Sequence, residues 1–137
     1  MLPNNKFPKS EKLCGFKAVE ALFAQGKSVK SFPLKLIFLP QPQGQAHLRI
    51  LISVPKKQFK KAIARNRMKR LLREAYRLEK QAFYGEKQPY ALGIIYLWRK
   101  EMPLAELRTQ IREIAQQWHA FLQENPQGDS NLTQKNT

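Results

Sequence analysis

Residues 90 to 98 read YALGIIYLW, a run made only of aliphatic and aromatic residues and one glycine. A short run of this kind is typical of a β-strand that is covered on much of both of its faces. A sheet that contains such a strand needs other elements packed on it. We therefore expect a layered α+β protein whose remaining strands and helices lie on either side of this segment in the sequence.

Two further strands are predicted upstream, at 32–39 (FPLKLIFL) and at 47–54 (HLRILISV). Side chains alternate between two faces in both strands, and in the first of them Lys35 and Ile37 share the face opposite the main apolar one. The intervening PQPQGQA predicts a hairpin loop that joins these two strands. The preceding GKSVKS (26–31) predicts an additional short edge strand.

Three helices complete the pattern. The first is predicted to run from a cap at Ser10 to about Gln25, where a glycine follows as a stop signal. The second contains RNRMKRLLREAYR (65–77) and extends to about Phe83. The third begins at Pro103, a residue that suits a first helical turn. The order helix, strands, basic helix, strand, helix predicts a small α/β sandwich of the α+β class.

A chain of 137 residues suits one domain with a single modest core. We expect a flexible arm at residues 1–9, one folded domain at 10–124 and a disordered polar tail at 125–137. The lone Cys14 excludes an intramolecular disulfide and favours a reducing cytoplasm. We find no run of about 18 apolar residues, no signal sequence and no lipidation motif that would indicate a membrane.

The formal net charge of +15 is the most unusual property of the sequence, and a polyanionic partner is its simplest explanation. Residues 56 to 77 hold ten of the 25 basic residues and a single acid, Glu74. An even distribution would place about four basic residues in that segment. A solvated helix normally places opposite charges at i, i+4, so this cluster of like charges indicates contact with nucleic acid.

The basic residues are predicted to lie on one side of the second helix. On a helical wheel at about 100° per residue, the apolar residues form one stripe that must face the sheet. This stripe consists of Met68, Leu71, Leu72, Ala75 and Ala82. The predicted nucleic-acid contacts lie on the other sides of the helix and in the segment before it: Lys56, Lys57, Lys60, Lys61, Arg65, Asn66, Arg67, Lys69, Arg70, Arg73 and Arg77. Asn66 either caps the helix or bonds to a nucleotide directly, and the spacing does not choose between these roles.

The run SVPKKQFKKAIARNRMKRLLREAYR (53–77) closely resembles the signature segment of the bacterial ribonuclease P protein subunit. Its tract RNRMKRLLRE fits the arginine–asparagine–arginine motif of that family, with a lysine–arginine pair and a further arginine after it. GFKAVEALFAQGKS (15–28) is similar to the first helix of the family. The last predicted strand and helix also stand where the family places them, so the resemblance covers roughly residues 10 to 122.

The resemblance implies a sandwich of the type shared with a domain of a ribosomal protein, with a left-handed crossover through the basic helix, an exception to the usual rule. It also implies an assembly in which this protein is the accessory subunit of a large catalytic RNA, and the complex removes the 5′ leader from precursor tRNA. Mg²⁺ would be held mainly by the RNA. The basic helix would contact the catalytic RNA, and Lys56 and Lys57 would lie near both the leader and that RNA.

The resemblance further implies a cleft for the single-stranded leader between the first helix and the sheet. Its candidate residues are Phe16, Val19, Phe23, Lys35 and Ile37. The family often carries two aromatic residues four positions apart on the first helix. Here Phe23 fits one position, Val19 occupies the other, and Phe16 lies near enough to substitute for it. The opposite reading, in which Phe16 and Phe23 belong to the core, is equally open.

We predict no active site in the protein itself. The sequence has no carboxylate or Cys/His motif of a metal-dependent nuclease, and nothing in it brings His47 and His119 together as an acid–base pair. One alternative is a structural RNA-binding protein of ribosomal type, although the RNR spacing favours ribonuclease P. Another is a DNA-binding helix, but the basic face offers only Asn66 as an amide to read base edges. No obligate protein partner is evident.

Overall fold

The computed structural model describes residues 12, 13, 15–42 and 48–124 of the chain. In chain order its elements are α1 (Phe16–Gln25), β1 (Lys27–Ser31), β2 (Leu34–Pro40), β3 (Leu48–Ser53), α2 (Ala62–Glu79, continued by a 3₁₀ turn, Lys80–Phe83), β4 (Tyr90–Tyr96) and α3 (Leu104–Glu124). This is the predicted α+β arrangement. The arm at 1–9, Ser10, Cys14, His47 and the tail at 125–137 lie outside the described residues.

The four strands form one sheet in the order β1-β2-β4-β3. Strand β4 pairs antiparallel with β2 and parallel with β3. The predicted hairpin between β2 and β3 is therefore wrong, because β4 lies between them. The predicted edge strand is confirmed as β1, which pairs with β2. The parallel pair β3 and β4 is connected through α2, as parallel strands require a crossover; the handedness of this crossover stays a prediction.

Strand β4 is buried at every one of its seven positions. It has a hydrogen-bonded neighbour on each side, and helices pack on both faces of the sheet. A strand in this position has no exposed face, so polar side chains would be desolvated there. This location explains why the sequence of β4 lacks the alternation seen in β2.

The main core lies between the sheet and the helices α2 and α3. Met68, Leu72 and Ala75 of α2 are completely buried, and Leu71 and Ala82 pack against the same cluster, so the predicted apolar stripe is confirmed. Tyr76 is also buried, which the helical wheel did not predict. Helix α3 contributes a parallel stripe whose completely buried members are Leu107, Ile111, Ile114 and Trp118.

Helix α1 packs on the other face of the sheet, over a smaller cluster of buried residues: Leu13, Leu22, Ile37, Ala91 and Ile95. Glycine permits close approach at two positions there. A Cβ atom at Gly93 would lie 3.1 Å from the Leu22 side chain, and one at Gly26 would lie 2.4 Å from the Leu22 carbonyl oxygen. These glycines let α1 and its end approach the strands directly.

Helix α1 begins at Phe16, later than the predicted start near Ser10. Lys12 instead forms a parallel bridge with Ile50, and the amide of Leu13 donates to the Ile50 carbonyl at 2.8 Å. This segment therefore extends the sheet at the edge of β3. Gly15 follows with φ of 96°, a backbone conformation that favours glycine, and turns the chain into the helix. The predicted end at Gln25 is confirmed.

Candidate nucleic-acid interface

The outer face of α2 carries the predicted basic residues. Asn66, Arg67, Arg70 and Arg73 are exposed, whereas Arg65, Lys69 and Arg77 are partly buried at its sides. They stand outside because Met68, Leu72 and Ala75 on the opposite side of the helix are buried. The predicted outward position of these side chains is therefore confirmed, while their contact with RNA stays a prediction.

Asn66 does not cap the helix. Helix α2 begins at Ala62, its N-cap is Lys61, and no side chain caps it. Asn66 thus stands more than a full turn inside the helix, exposed between two arginines. Of the two roles that the sequence left open, capping is therefore wrong, and contact with a nucleotide stays a prediction.

Two of the arginines form ion pairs within the protein. Arg77 pairs with Glu74, the acid that the sequence offered for this purpose, with Nη2 donating to Oε2 at 2.6 Å. Arg67 pairs with Glu101, where Nε donates to Oε1 at 3.0 Å and Nη2 to Oε2 at 2.5 Å. These hydrogen bonds lower the pKa of both carboxyl groups below the ordinary value. Sequence reasoning missed Glu101, because nothing local relates it to α2.

The centre of the basic face has no such partner. Within residues 12, 13, 15–42 and 48–124, no acid pairs with Lys69, Arg70 or Arg73, and no side-chain hydrogen bond holds them. Lys69 and Arg73 repel each other at i, i+4, and one such pair destabilises a helix by about 0.2 to 0.5 kcal/mol. The helix tolerates this repulsion because its opposite face is buried in the core, which stabilises it more than the repulsion destabilises it.

The segment between β3 and α2 adds four exposed lysines: Lys56, Lys57, Lys60 and Lys61. Phe59 anchors this segment, since its ring is buried and stacks on Tyr96 with centroids 6.1 Å apart. Arg65 supports the same loop by donating from Nη1 to the Phe59 carbonyl at 3.0 Å. Arg65 therefore has a structural task that the sequence did not reveal, and part of its guanidinium is engaged.

The α1 side of the sheet contains the five candidates for the leader cleft. Phe16 is 79% exposed and Phe23 is 49% exposed, so the alternative that both belong to the core is wrong. Val19 is partly buried against the smaller cluster. Lys35 is partly exposed. Ile37 is buried in the cluster beneath α1, which leaves little of it for a ligand to touch.

The strand register extends the positive charge on this side. Lys35 of β2 lies opposite Lys30 of β1 and opposite Ile95 of β4, which in turn lies opposite Ser53 of β3. Residues opposite one another in a sheet share a face. Two lysines, an isoleucine and a serine therefore form one row across the α1 side of the sheet.

Of the two histidines considered as an acid–base pair, His119 lies among the described residues and His47 does not. In the part of the chain that the structure describes, no group of three or more His, Cys, Asp or Glu could hold a metal ion. His119 donates from Nε2 to the Ala82 carbonyl at 2.8 Å, and its Nδ1 contacts the Glu86 carboxylate. Among the described helices, none is long and apolar enough to cross a membrane.

These features define a class: a small, strongly basic α+β protein with one cationic helix face and, on the other side of its sheet, exposed aromatic rings beside lysines. The family model for ribonuclease P matches residues 7–121. The chain therefore belongs to the ribonuclease P protein family, as its signature segment indicated.

Individual relatives agree with this membership. The ribonuclease P protein component of Porphyromonas gingivalis is 37% identical over 99 residues, which are 69% of this chain and 72% of that protein. The one from Chlorobaculum tepidum is 37% identical over 124 residues, 80% of each chain. The solved ribonuclease P protein of Staphylococcus aureus shares the fold, with a TM-score of 0.64 at 20% identity over 79% of this chain and 94% of its own. That of Thermotoga maritima has a TM-score of 0.62 at 21% identity, covering 77% and 96%.

Proposed function

We propose that this protein is the accessory subunit of ribonuclease P, which binds the catalytic RNA and the 5′ leader of precursor tRNA. It would thereby assist the Mg²⁺-dependent endonucleolytic removal of the leader, the step that matures the tRNA 5′ end. The observation that carries the proposal is the group of Lys69, Arg70 and Arg73, of which the two arginines are exposed and for which the described residues provide no acid. Membership of the ribonuclease P protein family supports the choice among RNA partners.

The cationic face of α2 is the surface we assign to the catalytic RNA. Each guanidinium can grip phosphate oxygens at two points, and phosphates would relieve the repulsion between neighbouring cations. Arg67 is already held in a two-point geometry by Glu101, and a phosphate group presents acceptors of the same kind. Because this ion pair is exposed, exchanging the carboxylate for a phosphate requires little free energy.

The α1 side is the surface we assign to the leader. Phe16 and Phe23 offer exposed rings on which unpaired bases can stack, and the row that contains Lys30 and Lys35 can neutralise the phosphates between those bases. Single-stranded RNA is commonly bound by this combination of stacking and electrostatic attraction. Lys56 and Lys57 follow β3 and would lie near both RNA ligands.

In this proposal the bond cleavage is carried out by the RNA and by Mg²⁺ ions that it mainly holds. The protein contributes binding energy for the substrate and screens the repulsion between two polyanions. Its location would be the cytoplasm, which suits the single cysteine of the sequence. The alternative is a structural RNA-binding protein of ribosomal type, which would bind RNA with no effect on cleavage.

Reconstitution separates these two functions. Mixed with a bacterial ribonuclease P RNA, the protein should permit precursor-tRNA cleavage at lower Mg²⁺ than the RNA requires alone. The variant Arg70→Ala/Arg73→Ala should lose most of this effect, while Lys87→Ala/Arg112→Ala removes the same charge from a turn and from α3 and should retain it. An unchanged Mg²⁺ requirement with the wild-type protein would refute the proposal and favour the structural alternative.

A further inference from the structure

A second pair of aromatic residues lies at the end of the sheet, away from α1, with one ring exposed and the other partly buried. Phe32, in the turn between β1 and β2, is 59% exposed, and Trp98 follows β4. Their ring centroids lie 6.0 Å apart with an interplanar angle of 65°. The Nζ atom of Lys100 lies 5.9 Å from the Trp98 ring centroid. An edge-to-face pair leaves at least one face of each ring uncovered by its partner.

The backbone on both sides of this pair is held by the core. The amide of Leu97 donates to the Pro33 carbonyl at 2.7 Å, which ties the end of β4 to the turn that carries Phe32. The hydroxyl of Tyr96, which is completely buried, donates to the carbonyl of Lys100. Burial raises the pKa of Tyr96 to about 12, so this hydroxyl remains a donor at neutral pH. These hydrogen bonds thus fix the backbone that carries the two rings before any ligand binds.

The pair lies on the α2 and α3 side of the sheet. Trp98 packs against the main core cluster, as does Leu104 at the start of α3. Phe16 and Phe23, by contrast, belong to α1 on the opposite side. The residue after Lys100 is Glu101, which Arg67 binds, so the loop that carries Trp98 is tied directly to the cationic face of α2.

The charges around the pair indicate what it binds. Arg99 and Lys100 follow Trp98 directly and are exposed, and the carboxylate of Glu101 is already paired. An exposed ring and a partly buried one beside cations suit a nucleic-acid base, which stacks on an aromatic face while its phosphate meets a cation. An apolar protein partner would have to bury these charges without compensation. Charge complementarity therefore selects RNA as the occupant.

We infer that Phe32, Trp98 and Lys100 form a stacking platform for an unpaired base of the RNA that α2 holds. The identity of that RNA rests on the proposed function, whereas the preference for an unpaired base does not. RNA that runs along the α2 face can reach the platform across the Arg67–Glu101 pair. A fully paired helix should not use it, because its bases are already stacked on each other.

Fluorescence reports on the platform directly, because Trp98 and the completely buried Trp118 are the two tryptophans of the chain. The probe is a short single-stranded oligoadenylate RNA, and the control is a blunt RNA hairpin. The oligoadenylate should quench the emission of Trp98. In Trp98→Phe, where only Trp118 emits, this quenching should disappear. The hairpin should leave the emission of the wild-type protein unchanged.

Substitutions distinguish stacking from simple apolar packing. Phe32→Tyr keeps the ring and should bind oligoadenylate as the wild type does, whereas Phe32→Leu keeps apolar area without the ring and should bind about tenfold more weakly. Lys100→Ala removes an exposed side chain that the fold does not need, and should also weaken binding. If Phe32→Leu does not fold, as judged by circular dichroism, Lys100→Ala still tests the platform, through its cation instead of its ring.

Three results would overturn the inference. They are an absence of Trp98 quenching, equal affinity of Phe32→Leu and Phe32→Tyr for oligoadenylate, or a Phe32→Leu variant in which self-association of the protein changes while oligoadenylate binding does not. The last result would assign the pair to contact between two copies of the chain. All of these measurements use the protein without the catalytic RNA. A failed Mg²⁺ reconstitution would therefore refute the proposed function alone, and a failed oligoadenylate experiment would refute the platform alone.

Discussion

Arg67 and Glu101 are joined by a two-point ion pair across 34 positions of sequence, with Arg67 Nη2 donating to Glu101 Oε2 at 2.5 Å. The pair links the cationic face of α2 to the loop between β4 and α3. Among the described residues, Glu101 is the acid that contacts the RNR tract, and it lies at the edge of the basic face. No described acid therefore opposes the charges of Lys69, Arg70 and Arg73. In the proposed complex, Glu101 would therefore compete with an RNA phosphate for one arginine only.

Replacing Glu101 with Gln should strengthen RNA binding. The change removes a negative charge beside the basic face and releases Arg67, so affinity for structured RNA at low salt should rise by about two- to fivefold. The thermal midpoint should change little, because the pair is exposed. Filter binding and thermal melting measure the two effects. Glu113→Gln, an exposed acid on α3, is the control, and an equal rise in both variants would show a general charge effect instead.

The variant Arg70→Ala/Arg73→Ala should bind RNA with a weaker salt dependence while keeping its fold. Both side chains are exposed and opposite the buried stripe, so circular dichroism should match the wild type. The log–log slope of affinity against salt should become shallower by about 0.7 to 0.9 for each RNA phosphate that the variant no longer neutralises. Lys87→Ala/Arg112→Ala serves as the charge-matched control. The assignment of the α2 face to RNA fails if both double variants shift the slope equally.

Removing the exposed rings of α1 should affect only substrates that carry a leader. Phe16→Ala/Phe23→Ala should weaken binding of precursor tRNA by about five- to tenfold, because neither ring remains for a base to stack on, and should leave affinity for leaderless tRNA unchanged. Gln25→Ala, an exposed residue of the same helix, is the control. Equal losses for both tRNAs would mean that the rings do not contact the leader.

Acidification should destabilise the fold partly through Glu74 and Glu101. Hydrogen bonds from Arg77 and Arg67 lower their pKa from the ordinary value of 4.5. A carboxyl group with a lowered folded-state pKa stabilises the fold fully above its unfolded pKa, and this contribution disappears as pH falls through the folded-state value. The variant Glu74→Gln/Glu101→Gln should therefore lose less stability than the wild type below pH 4.5.

Melting curves recorded at neutral pH and at successively lower pH measure this difference, which should be small because both ion pairs are exposed. Glu113→Gln again provides the control, since it should follow the wild type. If the double variant and the wild type lose stability in parallel throughout the acid range, the two ion pairs do not contribute to the fold.

Helical and strand periodicity predicted much of this protein from local sequence. The apolar stripe of Met68, Leu72 and Ala75 and the cationic face opposite it both follow from the 3.6-residue period. The burial of β4 follows from a run without polar side chains. Each of these properties depends on residues within a few positions of one another. Apolar side chains are buried in any compact fold, so such local patterns predict burial without knowledge of the neighbours.

The roles of Phe16 and Phe23 were open at the sequence level, since a ring on a helix can face either the core or solvent. Helix α1 buries Leu22 instead, and both rings are exposed. The early start was predicted because Ser10 is a good cap. The hydrogen bond from the Leu13 amide to the Ile50 carbonyl instead joins Leu13 to the edge of the sheet. No pattern in the local sequence predicts this contact.

The sequence by itself determined the apolar stripe of α2 and the burial of β4, and it concentrated positive charge on α2. Only the tertiary structure decided that β4 is inserted between β2 and β3, that Arg67 meets Glu101, and that Phe32 meets Trp98. Short-range patterns record the preference of each element for water or core. Which elements become neighbours depends instead on the free energy of the whole packed chain, in which contacts between distant segments offset the entropy of bringing them together.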